Sequence, residues 1–101
     1  PTNGSACAGG NPLQAFKYYE KNGVVTGGAY DSAIGCKPYP VPPGKKVAVP
    51  MVCAAQCDNQ QYPLSYAQDR HFGVDASVLQ YSPNVVEDIM WEIMLNGPVV
   101  G

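Results

Sequence analysis

Charged residues are scarce in this chain, and it contains no long hydrophobic run. Only 14% of the 101 residues are charged, with 6 Lys and Arg against 8 Asp and Glu, so the net charge is −2. A nucleic-acid-binding domain needs a basic face, and a membrane-spanning helix needs about 20 mainly apolar residues. Neither nucleic acid nor a membrane is therefore expected as a partner.

Histidine is almost missing, with one residue, whereas there are four cysteines. Cysteine-rich chains with few histidines favour an oxidising compartment. A zinc site of four cysteines is the metal alternative, but the spacing Cys53-x3-Cys57 is not the usual Cys-x2-Cys pair. No metal and no cofactor is predicted.

Glycine and proline, 11 and 10 residues, are the abundant types and predict much turn and loop. Five prolines fall between residues 35 and 50, which excludes regular helix there. Cysteines flank this stretch at positions 36, 53 and 57. A long irregular segment inside a domain is usually functional or a linker, and the flanking cysteines favour a pinned loop.

Two amphipathic helices are predicted, at about 12–22 and 83–96. Asn11 caps the first helix, Pro12 occupies its first position, and Gly23 ends it. In the second helix Ser82 is the expected cap, and apolar residues recur at helical spacing up to Asn96-Gly97-Pro98.

Strand is expected to be short and sparse: Val24–Thr26 is either a short strand or an extended exit from the helix, and the weak alternation of Val74–Tyr81 predicts a second strand. The fold class is therefore α+β, with a Pro- and Gly-rich loop region between two helices. Pro98–Gly101 is an apolar run typical of the start of a buried strand, and the Gly-rich first residues also begin without a structural element. Residues 1–101 are accordingly interpreted as a single partial domain.

Six segments, in this order and spacing, give the sequence a family resemblance: Cys7–Pro12, Ala15–Tyr19, Asn22–Ser32, Gly35–Tyr39, Gln68–Gly73 and Glu87–Val99. Together they resemble the cathepsin B-like cysteine peptidases of the papain family. The first is similar to the Cys-Asn-Gly-Gly-x-Pro segment of that family. The resemblance covers nearly the whole chain.

The resemblance implies a segment of a two-lobed fold in which a cysteine thiolate from one lobe pairs with an imidazole from the other. The nucleophile of this family lies in a Cys-Gly-Ser/Ala-Cys-Trp/Tyr signature, with its His and Asn about 130–150 residues downstream. That signature is absent from the 101 residues. The chain is expected to lie between the catalytic Cys and the catalytic His, and to contain no catalytic residue.

A groove segment at 7–12 is implied by the same resemblance. Gly9 and Gly10 match glycines that let a substrate backbone approach, a task that favours the absence of a Cβ. Asn11 and Pro12 match positions that line neighbouring side-chain subsites. The alternative is a plain turn before a capped helix.

Residues 43–57 match the occluding loop, which in cathepsin B blocks one end of the groove. The family's adjacent histidines, which hold a substrate's terminal carboxylate, are replaced by Gly44, Lys45 and Lys46, and the loop is shorter. The lysines either attract a carboxylate or form a solvated surface. The parent peptidase is therefore expected to act mainly as an endopeptidase.

The resemblance also pairs Cys36 with Cys57 and assigns Cys7 and Cys53 to cysteine partners upstream of this segment. Without those partners Cys7 and Cys53 are free, joined to a separate chain, or joined to each other. His71 matches a position that is not the catalytic histidine and is interpreted as a packed or surface residue. Asp69 and Arg70 beside it are expected to form a local surface ion pair.

Met90, Trp91 and Met94 are interpreted as core or lobe-packing residues, and exposed apolar surface is expected on their helix. The resulting function hypothesis is a groove-forming segment of a cysteine peptidase, with a peptide or protein substrate. The remaining parts of the peptidase are a possible separate partner chain. The alternatives are a non-catalytic peptide- or protein-binding paralogue, and a small structural domain.

Overall fold

A computed structural model describes residues 8–46 and 52–101. It contains two helices, α1 (Pro12–Asn22) and α2 (Val85–Asn96), which make no contact with each other. In the described part of the chain the strand content is one isolated antiparallel bridge between Val24 and His71. Two helices with little strand are therefore confirmed, and no described helix is long and apolar enough to cross a membrane.

The first helix begins and ends where its sequence predicts. Asn11 Oδ1 accepts a hydrogen bond of 2.9 Å from the Leu13 amide, and Pro12 occupies the first turn. Gly23 has a φ of 74° and donates its amide proton to the Tyr19 carbonyl at 3.0 Å. An asparagine cap and a left-handed glycine stop are each consistent with their residue types.

The second helix begins two residues later than predicted, and Ser82 is not its cap. Ser82 Oγ accepts from the Asn84 amide at 3.2 Å and donates to Asp88 Oδ2 at 2.9 Å. The Ser82 carbonyl accepts from the Val85 amide at 3.1 Å, which closes a turn before the helix. Asn84 is the cap residue, without a side-chain capping bond.

The strand predicted at Val74–Tyr81 is wrong. The segment is irregular and forms no strand pairing with any described residue. Asp75 has a φ of 55°, in the left-handed region, and so interrupts the extended backbone that a strand requires. The segment is fixed at Ala76, whose amide donates to Glu20 Oε2 at 3.2 Å.

The described residues bury few hydrophobic side chains. The accessible surface of the chain is 8307 Å², against roughly 5,500 Å² expected for a globular monomer of this mass. Among described residues, Cys36 is the one buried hydrophobic side chain and Asp69 the one buried charged side chain. Met90, Trp91 and Met94 are 64%, 58% and 67% exposed, so the expected apolar surface is present on α2.

The Cys36–Cys57 disulfide constrains the chain covalently where few hydrophobic side chains are buried. The two Cα atoms lie 4.7 Å apart, and the bond closes a separation of 21 residues. Because these sulfurs are joined, the four-cysteine zinc site is wrong. Cys53 is free and exposed, whereas Cys7 lies outside the described residues.

Replacing Cys36 and Cys57 together by serine is expected to lower the free energy of unfolding by about 3 kcal/mol, from the loop-closure entropy of the unfolded chain. Urea unfolding followed by circular dichroism measures the loss. Cys53→Ser is the matched control, because its thiol is exposed and unbonded, and it should leave the unfolding midpoint in place. Equal midpoints for the double variant and the control would contradict this role of the disulfide.

Candidate functional site

The backbone of Gly9 and Gly10 forms an open edge just before α1. Both residues are exposed, and a Cβ built at either position would meet no atom within 4 Å. Gly9 has a φ of 90°, which favours glycine, while Gly10 has no such requirement. Neither residue hydrogen bonds to another described part of the chain, so their amide and carbonyl groups are open to an external partner.

Asn11 and Pro12 follow this edge and are both exposed. Asn11 uses its side-chain oxygen for the helix cap, which leaves its amide nitrogen without a described partner. Pro12 presents an apolar ring at the first turn of α1. The four predicted groove residues are thus contiguous and exposed at one helix end, and their role in binding stays a prediction.

Gly44, Lys45 and Lys46 lie in an exposed turn distant in sequence from this edge. The Lys45 amide donates to the Pro42 carbonyl at 3.1 Å, and Gly44 has a φ of 73°. Both lysine side chains belong to exposed residues and form no ion pair with a described residue. Residues 47–51 of the predicted occluding loop lie outside the described residues.

The buried carboxylate of Asp69 is the centre of a polar network that the sequence did not reveal. Asp69 Oδ1 accepts from the Tyr62 hydroxyl at 2.7 Å. Asp69 Oδ2 accepts from the Thr26 amide at 2.8 Å and from the Thr26 hydroxyl at 2.7 Å. Asp69 itself is only 2% exposed, so these bonds replace the water that a carboxylate would otherwise bind.

The hydroxyl protons in this network have a single consistent arrangement. Thr26 Oγ1 and Tyr62 Oη lie 3.2 Å apart, but each hydroxyl has one proton and gives it to the carboxylate. Thr26 Oγ1 in turn accepts from the Cys36 amide at 3.1 Å. Asp69, Thr26, Tyr62 and Cys36 are hereafter called the Asp69 network.

The predicted surface ion pair between Asp69 and Arg70 is wrong. Asp69 points into the network, whereas Arg70 Nη1 donates to the Asn22 carbonyl at 3.3 Å and its guanidinium lies 5.7 Å from the Phe72 ring. Asp69 lies in a turn, in which its amide donates to the Ser65 carbonyl at 3.0 Å. Its side chain is buried, while Arg70 packs on the surface near the end of α1.

His71 lies at the margin of the Asp69 network. Its side chain is 61% exposed, with Nε2 3.6 Å from Asp69 Oδ1. The backbone of His71 forms the isolated bridge with Val24 through two hydrogen bonds of 2.8 Å. His71 is thus a surface histidine, one of the two expected positions, and its backbone forms the bridge with Val24.

The pKa of Asp69 reflects opposing effects. Burial alone would raise this pKa, but the hydrogen bonds from Tyr62 and Thr26, followed by the charge of His71, lower it to about 2. The carboxylate is therefore ionised throughout the mildly acidic range. Within residues 8–46 and 52–101, no group of three or more His, Cys, Asp or Glu side chains is placed to hold a metal ion.

Little in the sequence indicates that these four residues form a network. An Asp followed by Arg and His resembles a solvated charged patch, and its burial depends on Thr26, which is 43 residues away. Asn59 was also missed; its amide nitrogen donates to the carbonyls of Ala33 and Gly35 at 2.9 and 3.0 Å. The available signal was a threonine and a tyrosine near the cysteines, which is too common a pattern to be specific.

Comparison with known proteins identifies the family. Residues 2–101 match the papain family of cysteine proteases. The chain is 42% identical to a gut-specific cysteine proteinase of Caenorhabditis elegans, over 95% of this chain and 29% of that protein. It is 39% and 36% identical to cathepsin B-like cysteine proteinases 5 and 4 of the same organism, over 95% of this chain and 31% and 32% of theirs.

The chain therefore belongs to the papain family of cysteine proteases and is similar to its cathepsin B-like members. It spans about a third of the length of the curated relatives it matches.

The Asp69 network is expected to make the fold sensitive to strong acid. Because the folded-state pKa of about 2 lies below the ordinary value of 3.8 for an aspartate, Asp69 contributes stability above about pH 4 that is lost as the pH falls towards 2. Asp69→Asn should remove this part of the pH dependence, as measured by urea unfolding between pH 2 and pH 6.

Asp75→Asn is the matched control, because Asp75 is exposed and its side chain has no described hydrogen-bond partner. It should retain the wild-type slope between pH 4 and pH 2. If Asp69→Asn also retains that slope, the carboxylate does not carry the acid dependence.

Proposed function

We propose that this chain is the groove-forming segment of a papain-like, cathepsin B-like cysteine peptidase that hydrolyses peptide bonds. Its own contribution is substrate binding, through Gly9, Gly10, Asn11 and Pro12. The observation that carries this proposal is the open backbone edge at Gly9 and Gly10, where no side chain and no hydrogen bond of the residues that the structure describes obstructs approach.

An extended peptide is the ligand that suits this edge. Free amide and carbonyl groups on a glycine pair can form main-chain hydrogen bonds of the kind made by an added strand. A Cβ would keep the two backbones apart, which explains the use of glycine where neither crowding nor, at Gly10, a positive φ requires it. The free amide nitrogen of Asn11 and the ring of Pro12 then contact substrate side chains.

The second contribution is a shortened occluding loop at 43–57. In place of a histidine pair it presents Gly44, Lys45 and Lys46, and the exposed ammonium groups of the lysines attract a substrate carboxylate only weakly because water screens them. The proposed parent is accordingly mainly an endopeptidase.

The segment is proposed to be inactive alone. In a cysteine peptidase a thiolate adds to the substrate carbonyl and an imidazole protonates the departing amine. Residues 1–101 contain no nucleophile signature. The backbone of His71 pairs with Val24 in the isolated bridge. The nucleophile and base therefore come from the rest of the peptidase, in the same or a separate chain, and the chemistry uses no cofactor.

A lysosomal or extracellular site of action is part of this proposal. The Cys36–Cys57 disulfide supports it, because disulfides persist in oxidising compartments.

Labelling with an active-site-directed thiol reagent tests the peptidase assignment. The full-length protein carrying this segment should be labelled at one cysteine outside residues 1–101 and should cleave an unstructured peptide. Binding of the peptide without labelling or cleavage would contradict the peptidase assignment and support the non-catalytic paralogue. An absence of both binding and cleavage would contradict the groove itself.

Gly10→Ala is expected to impair substrate binding without destabilising the fold. The added methyl meets open space at an ordinary φ, so the unfolding midpoint should not move, whereas the blocked backbone contact should raise KM by about tenfold. Steady-state kinetics on the full-length protease measures this change. Gln14→Ala, which alters an exposed residue of the following helix α1, is the control and should leave KM unchanged. Equal KM values for both variants would contradict the groove role of Gly10.

A further inference from the structure

We propose that Asp69 is a positioning residue for the neighbouring disulfide. It holds Cys36 and Cys57 within bonding distance when the bond is reduced, and so directs re-oxidation to this pair and away from the exposed thiol of Cys53. The contacts that carry this redox role join described residues at the disulfide itself. The role does not depend on the proposed peptidase function.

Cys36 is held in place by hydrogen bonds that do not involve its sulfur. Its amide donates to Thr26 Oγ1 at 3.1 Å, and the next amide, that of Lys37, donates to the Thr26 carbonyl at 3.0 Å. Asp69 fixes Thr26 in turn, because it accepts from both the amide and the hydroxyl of that residue. The position of Cys36 therefore depends on the carboxylate and does not require the sulfur–sulfur bond.

The residues that follow Cys57 are held to the same carboxylate. The Cys36 carbonyl accepts from the Asn59 amide at 3.2 Å. The Tyr62 amide donates to the Asn59 carbonyl at 3.1 Å, and the Tyr62 hydroxyl donates to Asp69 Oδ1 at 2.7 Å. The two cysteine Cα atoms lie 4.7 Å apart, within the range that a disulfide spans, so these hydrogen bonds keep both thiols within reach of each other.

The two bonded sulfurs differ in their access to a reductant. Cys36 is 0% exposed, whereas Cys57 is half-buried. A glutathione thiolate therefore attacks the Cys57 sulfur, which forms a mixed disulfide and releases the Cys36 thiolate. A second glutathione thiolate attacks the glutathione sulfur of that mixed disulfide, which gives glutathione disulfide and the Cys57 thiolate.

The exchange balances without a further reactant. Two electrons pass from two glutathione molecules to the protein disulfide, and the two glutathione thiol protons end on the two cysteines. Re-oxidation by glutathione disulfide is the reverse of these steps.

Cys53 is the thiol that competes for Cys36 during re-oxidation. It is free and exposed, and no described hydrogen bond involves it. Positions 53 and 57 close loops of similar length with Cys36, so the loop-closure entropy scarcely distinguishes them. The choice of Cys57 therefore requires a positional restraint, and the bonds to Asp69 supply it.

Three substitutions loosen this restraint with little change of shape. Both oxygens of Asp69 accept protons from Thr26 or Tyr62, so the NH2 group of Asp69→Asn sets a donor against a donor. Thr26→Val removes one of the donating hydroxyls, and Tyr62→Phe removes the other. Thr26→Ser retains the hydroxyl and is the conservative variant.

Two control variants separate positioning from a general loss of stability. Asp75→Asn removes an exposed carboxylate. Gly73→Ala lowers stability elsewhere, because a Cβ at that position would lie 2.9 Å from the Tyr19 ring. Gly73 forms no described hydrogen bond with the Asp69 network.

The first test titrates the disulfide of the full-length protein with mixtures of glutathione and glutathione disulfide at neutral pH. Acid quenching, alkylation of free thiols and mass spectrometry of the peptides give the fraction of Cys36 bonded to Cys57. The midpoint, expressed as [GSH]²/[GSSG], should fall about tenfold in Asp69→Asn and Thr26→Val, and about threefold in Tyr62→Phe. The conservative variant and both controls should keep the wild-type midpoint.

The second test follows the choice of partner. The protein is reduced with dithiothreitol, freed of the reductant and re-oxidised with glutathione disulfide. Fragment-ion spectra of the alkylated peptides show whether Cys53 or Cys57 carries the label. Cys36 should be bonded to Cys57 in the wild type, and the share of the Cys36–Cys53 bond should rise about tenfold in Asp69→Asn.

Both tests record the state of the cysteines, so their results do not depend on peptide cleavage. Equal midpoints in Asp69→Asn and Asp75→Asn would overturn the positioning role. A fall of the same size in Gly73→Ala would also overturn it, because lost stability would then explain the effect. An unchanged share of the Cys36–Cys53 bond in Asp69→Asn would overturn the claim that the carboxylate directs the choice of partner.

Discussion

The described part of this chain depends on one buried carboxylate. Asp69 accepts three hydrogen bonds, two from Thr26, which is 43 residues away in the sequence, and one from Tyr62, which is 7 residues away. Among the described residues, Cys36 is the one buried hydrophobic side chain. Burying a charge is unfavourable unless hydrogen bonds replace its hydration, and no buried polar side-chain atom among the described residues lacks a partner. The network therefore favours one arrangement of the segments that contribute to it. The adjacent disulfide lowers the conformational entropy of the unfolded chain.

The groove segment and the Asp69 network are at different ends of α1, and the physical demands on them differ. At the C-terminal end the chain is closely packed: the Gly73 amide donates to the Tyr19 carbonyl, and a Cβ at Gly73 would lie 2.9 Å from the Tyr19 ring. At the N-terminal end Gly9 and Gly10 have open space around them. Glycine thus serves close internal packing at one end of the helix and external access at the other.

The sequence predicted the local features of the fold and missed the long-range ones. The limits of α1 followed from Asn11, Pro12 and Gly23, because a cap, a proline and a glycine act on their immediate neighbours. The predicted start of α2 was wrong because Ser82 closes a turn before the helix. Its hydroxyl is held there by a hydrogen bond to Asp88. The burial of Asp69 was missed because it requires Thr26 to arrive from 43 residues away, and no local pattern records that meeting.

The family resemblance predicted what local sequence patterns could not, namely the pairing of Cys36 with Cys57 and the peptidase family. The residues predicted to form a groove could be named from the resemblance, but their exposure became evident only from the coordinates, because a Gly-Gly pair before a helix is equally compatible with a packed turn.

Hydrogen exchange of individual amides tests the central claim, that the Asp69 network and not a hydrophobic core holds this chain together. In the 101-residue chain the slowest amides should be those of Thr26, Cys36 and His71, whose partners lie within or beside the network, while the α2 amides exchange far faster because that helix packs on no described element. Equal protection of α2 and the network would contradict the claim and would indicate a hydrophobic core shared by both.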